Sequence, residues 1–499
     1  MRRFERPGSR DSKIKNQKSK LDLPAALGRT FAAAFGALLG LGLLKFGNPP
    51  IMEQYVTAPA NAYEFVLGYP WPITWGYGLF GVVVILGLFT ARWNAGAPRW
   101  LLVLPLVWLV WQIAASTVSV QPELSRATVA HFVVCVACFY LGYFSLSRVE
   151  DLRLFWVGLL CALVVVVVFG WQQHFGGLEE TRRYFYLYVY PKMKEVAPEY
   201  LKKMSSTRIF STLFYPNALA GVILLLLPLA LGVVGQARRM LTPGARWFMA
   251  SLISLGGLGC LYWSGSKGGW LLLLLLGFLA LLRLPFGKTA KVALIAVVLA
   301  GGLAGFFWKY SAFFQRGSTS VTARFDYWRA AVETTAAHPV FGTGPGTFAK
   351  PYQELKRPES EMARLVHNDY LEQASDSGLA GFVTYTAFIL GALIVGTPRP
   401  WALRAPAATG SLSPEQPTGA EGSKSGIGRR DESLAAGHPS AGREAGVPTV
   451  PDWITCCLWL GALGWALQSL FEFGLYIPAL AWPAFTFLGL LLGRKPQES

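Results

Sequence analysis

The chain has 499 residues, of which 53% are hydrophobic and only 15% charged, with a mean hydropathy of +0.39. A soluble enzyme carries about 25% charged residues, and apolar runs long enough to span a bilayer recur here, which excludes a soluble domain and the short alternating strands of a membrane barrel. The net charge of +17 does not mark a nucleic-acid binder, because the Lys and Arg are spread over the segments between apolar runs, as the positive-inside rule distributes them.

The expected class is therefore an all-α, polytopic membrane protein. Residues 1–24 hold eight Lys and Arg and form a cytoplasmic basic tail. The apolar run 24–44 follows without a small-residue cleavage site, so it is a retained helix rather than a removed signal peptide. Further runs predict spans at about 75–91, 100–118, 127–146, 152–174, 213–235, 247–264, 268–284, 290–309, 377–396, 453–471 and 479–493, twelve in all. Residues 25–396 thus form a transmembrane domain and 453–493 the last two spans. Residues 397–452, rich in Gly, Pro, Ala and Ser, are a disordered cytoplasmic insertion. Loops on the N-terminal side carry Arg92, Arg99, Arg148, Arg153, Arg238, Arg239, Arg246, Arg283, Lys288 and Lys291. The opposite short loops are poor in positive charge: 119–126 has only Arg126, and 472–478 has none. This asymmetry puts both termini inside. The six cysteines all fall in apolar runs and are expected to be free thiols packed in helices.

Three outer segments are long: 45–74, 175–212 and 310–376. The aromatic run Tyr184-Phe-Tyr-Leu-Tyr-Val-Tyr190 in the second suits either the lipid headgroup level or stacking on sugar rings. The third is mostly polar. Ser318, Thr319 and Ser320 are N-cap candidates for a helix that ends at His338-Pro339, with Arg324 and Trp328 on one face. The run Phe341-Gly-Thr-Gly-Pro-Gly-Thr-Phe348 allows close backbone approach but has neither the spacing nor the preceding strand of a dinucleotide fingerprint. A second helix is expected from about 359 to 375, stopping at Gly378, with Arg364, His367 and Leu371 on one face.

Four residues on the outer side could carry chemistry. His367 lies in this loop between polar neighbours, beside Asn368 and Asp369. A lone histidine is more often merely solvated, but this one has the most polar surroundings of the five. Arg208 enters the sixth span, where an arginine commonly snorkels to the interface. Lys267 sits in the short turn Ser264-Gly-Ser-Lys-Gly-Gly269, on the side the charge rule disfavours; a plain turn lysine is the alternative. Arg324 completes the set. Fixed cations can stabilise a departing diphosphate, and a histidine near neutral pKa can take the proton of an attacking hydroxyl. No outer cluster has metal-ligand spacing, so the sequence requires no metal.

Several segments together resemble the O-antigen ligase/polymerase family of bacterial integral membrane proteins, in a core at about 205–382. They are Arg208…Phe214-Tyr-Pro-Asn217, Ser264-Gly-Ser-Lys267-Gly-Gly, Arg324-Phe-Asp-Tyr-Trp328, Pro339-Val-Phe-Gly-Thr-Gly-Pro-Gly-Thr-Phe348, His367-Asn-Asp-Tyr-Leu371 and Gly378-Leu-Ala-Gly381. The resemblance implies a fold related to C-type membrane glycosyltransferases, in the bacterial inner membrane. It implies transfer of a glycan from an undecaprenyl diphosphate-linked donor to a lipid or glycan acceptor on the periplasmic side, without metal or other cofactor. The periplasmic loop 310–376 then brings His367 as catalytic base and Arg324 as its catalytic partner, while Arg208, Lys267 and Arg324 hold the diphosphate. The family usually has arginine where this chain has Lys267; lysine keeps the charge but loses the bidentate fork. A polymerase of the same family differs only in acceptor. A polysaccharide transporter or flippase would place ionisable residues along a mid-membrane path. The spans offer few, Glu472 lying near the outer end of its span. A non-catalytic scaffold would not need outer cations beside a histidine.

Overall fold

The computed structural model describes residues 10–68, 70–93, 96–192, 205–213, 215–284, 286–315, 319–358, 360–398 and 452–494. Residues 1–9, most of the 397–452 insertion and Ser318 lie outside them. The described residues form fifteen α-helices and no β-strand. In chain order they are α1 (Arg10–Lys45), α2 (Ile73–Thr90), α3 (Arg99–Thr117), α4 (Pro122–Tyr140), α5 (Arg153–Gln172), α6 (Leu178–Tyr184), α7 (Pro216–Gln236), α8 (Pro243–Ser264), α9 (Lys267–Arg283), α10 (Lys288–Gln315), α11 (Thr319–Ala337), α12 (Ala349–Leu355), α13 (Asp369–Val395), α14 (Asp452–Gln468) and α15 (Pro478–Gly493).

Nine helical stretches among the described residues are long and apolar enough to cross a membrane, against the twelve spans expected. Each expected span falls on a helix. However, α9 and α14 have 17 residues and α15 has 16, and length alone does not carry them across a ~30 Å hydrocarbon core. For α15 the reason is its position. Every one of its residues is buried, and it packs against α1, α4, α7 and α14 at the centre of the bundle. A helix enclosed on all sides is apolar all round and is not matched to lipid thickness along its own length. The outer helices show the opposite pattern. Phe89 of α2 is 73% exposed and Trp308 of α10 is 78% exposed, with Val82, Leu88, Val110, Leu255 and Val297 also outward. Apolar surface on that scale faces lipid rather than water, so the chain is a multi-pass membrane protein.

The bundle is drawn together by glycines at crossings. A Cβ on Gly158 of α5 would stand 2.6 Å from the Ala37 nitrogen of α1, and one on Gly489 of α15 would overlap the Phe139 carbonyl of α4. Small residues let membrane helices approach to backbone contact, where packing rather than the hydrophobic effect drives association.

The 310–376 stretch departs from expectation in its second half. The first helix is present as α11, running from Thr319 to Ala337. The expected helix over 359–375 is not. The chain makes the short α12, then runs without helix from 360 to 368, so Arg364, His367 and Leu371 do not share a helical face. The helix starts only at Asp369 because Asn368 caps it, its side-chain oxygen accepting from the Tyr370 and Leu371 nitrogens at 3.1 Å. Nor does it stop at Gly378. It bends there, with Ser377 out of helical conformation and Gly378 at φ 70°, and continues to Val395. The glycine run docks on this bend. Thr343 and Gly344 donate their N–H groups to the Ser375 and Asp376 carbonyls at 3.1 and 2.8 Å, Gly346 donates to the Asp376 carboxylate at 2.6 Å, and Leu379 donates to the Pro339 carbonyl at 2.9 Å. Backbone-to-backbone contact leaves no room for side chains: a Cβ on Gly342 would strike the Asp376 backbone and one on Gly378 the Val340 carbonyl. The glycines thus serve the bend in α13.

Gly489→Val should destabilise the protein by about 1–3 kcal/mol through overpacking, whereas Gly81→Val, whose Cβ meets nothing within 4 Å, should not. Thermal unfolding of the two purified variants in detergent checks this; equal melting temperatures would remove the glycine crossing from the account.

Candidate functional site

Where the N-terminal ends of α7, α11 and α13 meet the C-terminal end of α14, one carboxylate collects the candidate residues. Glu472 lies in the turn between α14 and α15 and is buried. Its Oε1 forms an ion pair with the Arg324 guanidinium and accepts from Asn217 Nδ2 at 2.5 Å. Its Oε2 faces His367 Nδ1 and the Tyr215 hydroxyl, both at 3.3 Å. Asn217 passes the network on: its side-chain oxygen accepts from Arg208 at 2.6 Å, while the Arg208 Nε donates to the Ser264 carbonyl at 2.6 Å. Arg208, Arg324 and His367 therefore belong to one hydrogen-bonded cluster, although 159 residues separate the first from the last in sequence. Lys267, the first residue of α9, lies within the electrostatic reach of Arg208 and Arg324, and its ammonium stands 5.2 Å from the centre of the Tyr310 ring.

Local structure fixes each part. Arg324 sits on the first turns of α11, bonded also to the Phe471 carbonyl at 3.0 Å and the Ser320 carbonyl at 3.1 Å. His367 precedes the Asn368 cap and has φ 55°, an uncommon, strained conformation for a non-glycine residue. Its ring is held by Phe473 (4.8 Å between centres), Tyr327 (5.7 Å) and Tyr215 (6.1 Å). The loop of Glu472 is tied to the loop of His367 through Asp369, whose N–H donates to the Ser469 carbonyl and whose carboxylate accepts from the Leu475 nitrogen, each at 2.8 Å.

Burial opposes ionisation of Glu472, but the His367 hydrogen bond and the charges of Arg324, His367 and Arg208 outweigh it and hold the carboxyl below its ordinary range. An ionised carboxylate only accepts, so in this contact Nδ1 of His367 is the donor. The side chains of His367 and Arg324 remain 20% and 19% exposed, which leaves them an open side. A cavity behind Glu472, lined by Tyr215, Asn217, Gln468, Phe473 and Ile477, is about the size of one water molecule and admits no sugar.

Other histidines are accounted for elsewhere. His131 is buried, with Nε2 2.8 Å from the Leu475 carbonyl and Nδ1 accepting from Trp482 at 3.3 Å. His174 stacks on Trp263 at 3.9 Å. All six cysteines are free, Cys161 exposed and the others buried. Among the described residues no group of three or more His, Cys, Asp or Glu stands close enough to hold a metal ion.

Sequence reasoning noticed Glu472 but did not place it in the site. The available signal was an acid in an otherwise apolar outer turn, which is costly without a partner. It also gave no role to three acids on the first turns of α13, naming Asp369 only as a polar neighbour of His367. Asp369, Glu372 and Asp376 are fully buried and accept from the backbone nitrogens of Leu475, Val366 and Gly346, respectively.

Residues 250–386 match the O-Antigen ligase family model. That region contains Lys267, Arg324 and His367, while Arg208 and Glu472 lie on either side of it. An uncharacterized protein of Haemophilus influenzae is 29% identical over 151 residues, an alignment covering 26% of this chain and 38% of that protein. The chain thus matches well under half the length of that relative. On the family match, this chain carries an O-antigen ligase family domain over residues 250–386.

Proposed function

We propose that this protein is a membrane glycosyltransferase that moves a glycan from undecaprenyl diphosphate to an acceptor hydroxyl at the periplasmic face. The observation that carries this reading is the His367–Glu472–Arg324 cluster, with Arg208 joined to it through Asn217. His367 Nε2 takes the proton of the acceptor hydroxyl. The acceptor oxygen then forms its bond to the anomeric carbon, and the bond from that carbon to the diphosphate breaks. The electron pair leaves with undecaprenyl diphosphate, whose growing negative charge Arg208, Arg324 and Lys267 stabilise. Glu472 holds His367 in the tautomer that leaves Nε2 unprotonated and favours the imidazolium formed by proton transfer. Cations stabilise the leaving group directly, so no metal enters the reading. In topology, both termini are cytoplasmic, α9, α14 and α15 complete the crossings with the nine longer helices, and 310–368 faces the periplasm. The fold is related to C-type membrane glycosyltransferases.

A polymerase would use the same chemistry on another acceptor. The buried acids of α13 each give one oxygen to a backbone N–H of a packed loop, while the other oxygen has no hydrogen-bond partner among the described residues.

A null strain complemented with His367→Ala should lose all long-chain glycan on its acceptor when surface glycan is run on a gel, a rate loss of about 10²–10⁴-fold. A surviving single-repeat band would mean a polymerase, and a wild-type ladder would sink the assignment of His367. Glu472→Gln keeps the shape but leaves Arg324 without its counter-charge. It should cost about 3–5 kcal/mol of stability and lower turnover more than substrate affinity, as read by melting and by initial rates; unchanged values for both would show that the cluster is incidental. Purified protein given lipid-linked glycan should keep its activity in excess chelator, and abolition would contradict the cation-only mechanism.

A further inference from the structure

Tyr310 is not used by the mechanism above. It lies near the outer end of α10 and is buried, 6% exposed, yet its hydroxyl has no hydrogen-bond partner among the described residues. A buried hydroxyl without a partner is disfavoured, more so beside lipid, where water does not compensate. The surroundings of this ring are cationic. The Lys267 and Lys309 ammonium groups stand 5.2 and 5.8 Å from its centre, and the hydroxyl lies within the electrostatic reach of Arg208. Lys309 donates to the Tyr262 carbonyl at the C-terminal end of α8, and an ammonium has three protons to give. The N-terminus of the 17-residue α9 begins at Lys267, so a positive helix end adds to the same place.

We propose that the Tyr310 hydroxyl, with Lys309, forms a further part of the diphosphate site, donating to the donor lipid's diphosphate beside Lys267. This rests on the reading of Arg208, Lys267 and Arg324 as diphosphate ligands. It assigns α10 a role the site otherwise lacks. That helix is the least enclosed of the nine long ones, with 6% of its apolar window buried, and it packs mainly on α9. It is therefore a lipid-facing wall that brings one hydroxyl and one cation to the headgroup of a lipid arriving from the bilayer.

The test uses full-length protein in lipid nanodiscs and undecaprenyl diphosphate as ligand, with affinity read by titration and melting temperature read with and without the lipid. Tyr310→Phe removes only the unpartnered hydroxyl. It should melt at or above the wild-type temperature without ligand, bind undecaprenyl diphosphate about tenfold more weakly, and lose part of the ligand-induced stabilisation. Lys309→Met should also weaken binding, whereas Lys291→Met, which alters the lysine bonded to the Leu282 carbonyl at the other end of α10, should bind as wild type. If wild type binds and Tyr310→Phe or Lys309→Met binds equally well, this inference falls and the proposed function stands. A lower melting temperature for ligand-free Tyr310→Phe would assign the hydroxyl to a structural bond and overturn it too. If wild type fails to bind undecaprenyl diphosphate, the proposed function falls with it.

Discussion

A single buried carboxylate holds this site together. Glu472 has little access to solvent, and a charge removed from water is tolerated only when paired and hydrogen-bonded. Its two oxygens are satisfied by Arg324, Asn217, Tyr215 and His367, which come from three separate parts of the chain. The need to satisfy one anion therefore brings α7, α11 and the approach to α13 into register. A buried ion pair is weak evidence for stability in itself. Its value here is positional: the partners cannot drift without exposing an uncompensated charge.

The bend in α13 does the complementary work on the other side of His367. A straight helix from Asp369 would leave the glycine run without partners. Breaking the ladder at Ser377 and Gly378 frees the Ser375 and Asp376 carbonyls, and the run supplies N–H groups to both. Asp376 adds its side chain, accepting from Gly346 and from the Tyr476 hydroxyl. Tyr476 belongs to the same turn region as Glu472. The loop 339–348, the start of α13 and the 469–476 turn thus form one packed unit, and His367 emerges from it in a conformation that an isolated loop would not keep.

These couplings explain what the sequence made legible. Apolar periodicity gave the helices, since each span is a local property of some twenty residues. Arg208, Lys267, Arg324 and His367 stood out because charge is rare in such a chain. The irregular path before α13 was misread because Asn368 was taken as part of a helix rather than as its cap, and because Gly378 was taken as a stop. Both choices depend on what the freed backbone groups meet in space. Glu472 escaped for the same reason. Its partners lie from 105 to 257 residues away along the chain, and no local pattern reports that. Helix α15 is short for a span because its surroundings are protein on every side.

The balance of charge around the carboxylate bears on the substrate. Glu472 offsets one of the cations it touches or faces through Asn217, and Lys267 adds another nearby. Like charges this close repel more strongly beside lipid than in water, because the local dielectric is lower. In the proposed reading, a diphosphate bound among these cations relieves that repulsion. Tyr215, Asn217 and Gln468 line the small cavity beside Glu472, whereas the side chains of Arg324 and His367 keep part of their surface open. In the proposed reaction, a carboxylate that accepts from Nδ1 of His367 leaves Nε2 for the acceptor hydroxyl and the open side of Arg324 for the diphosphate.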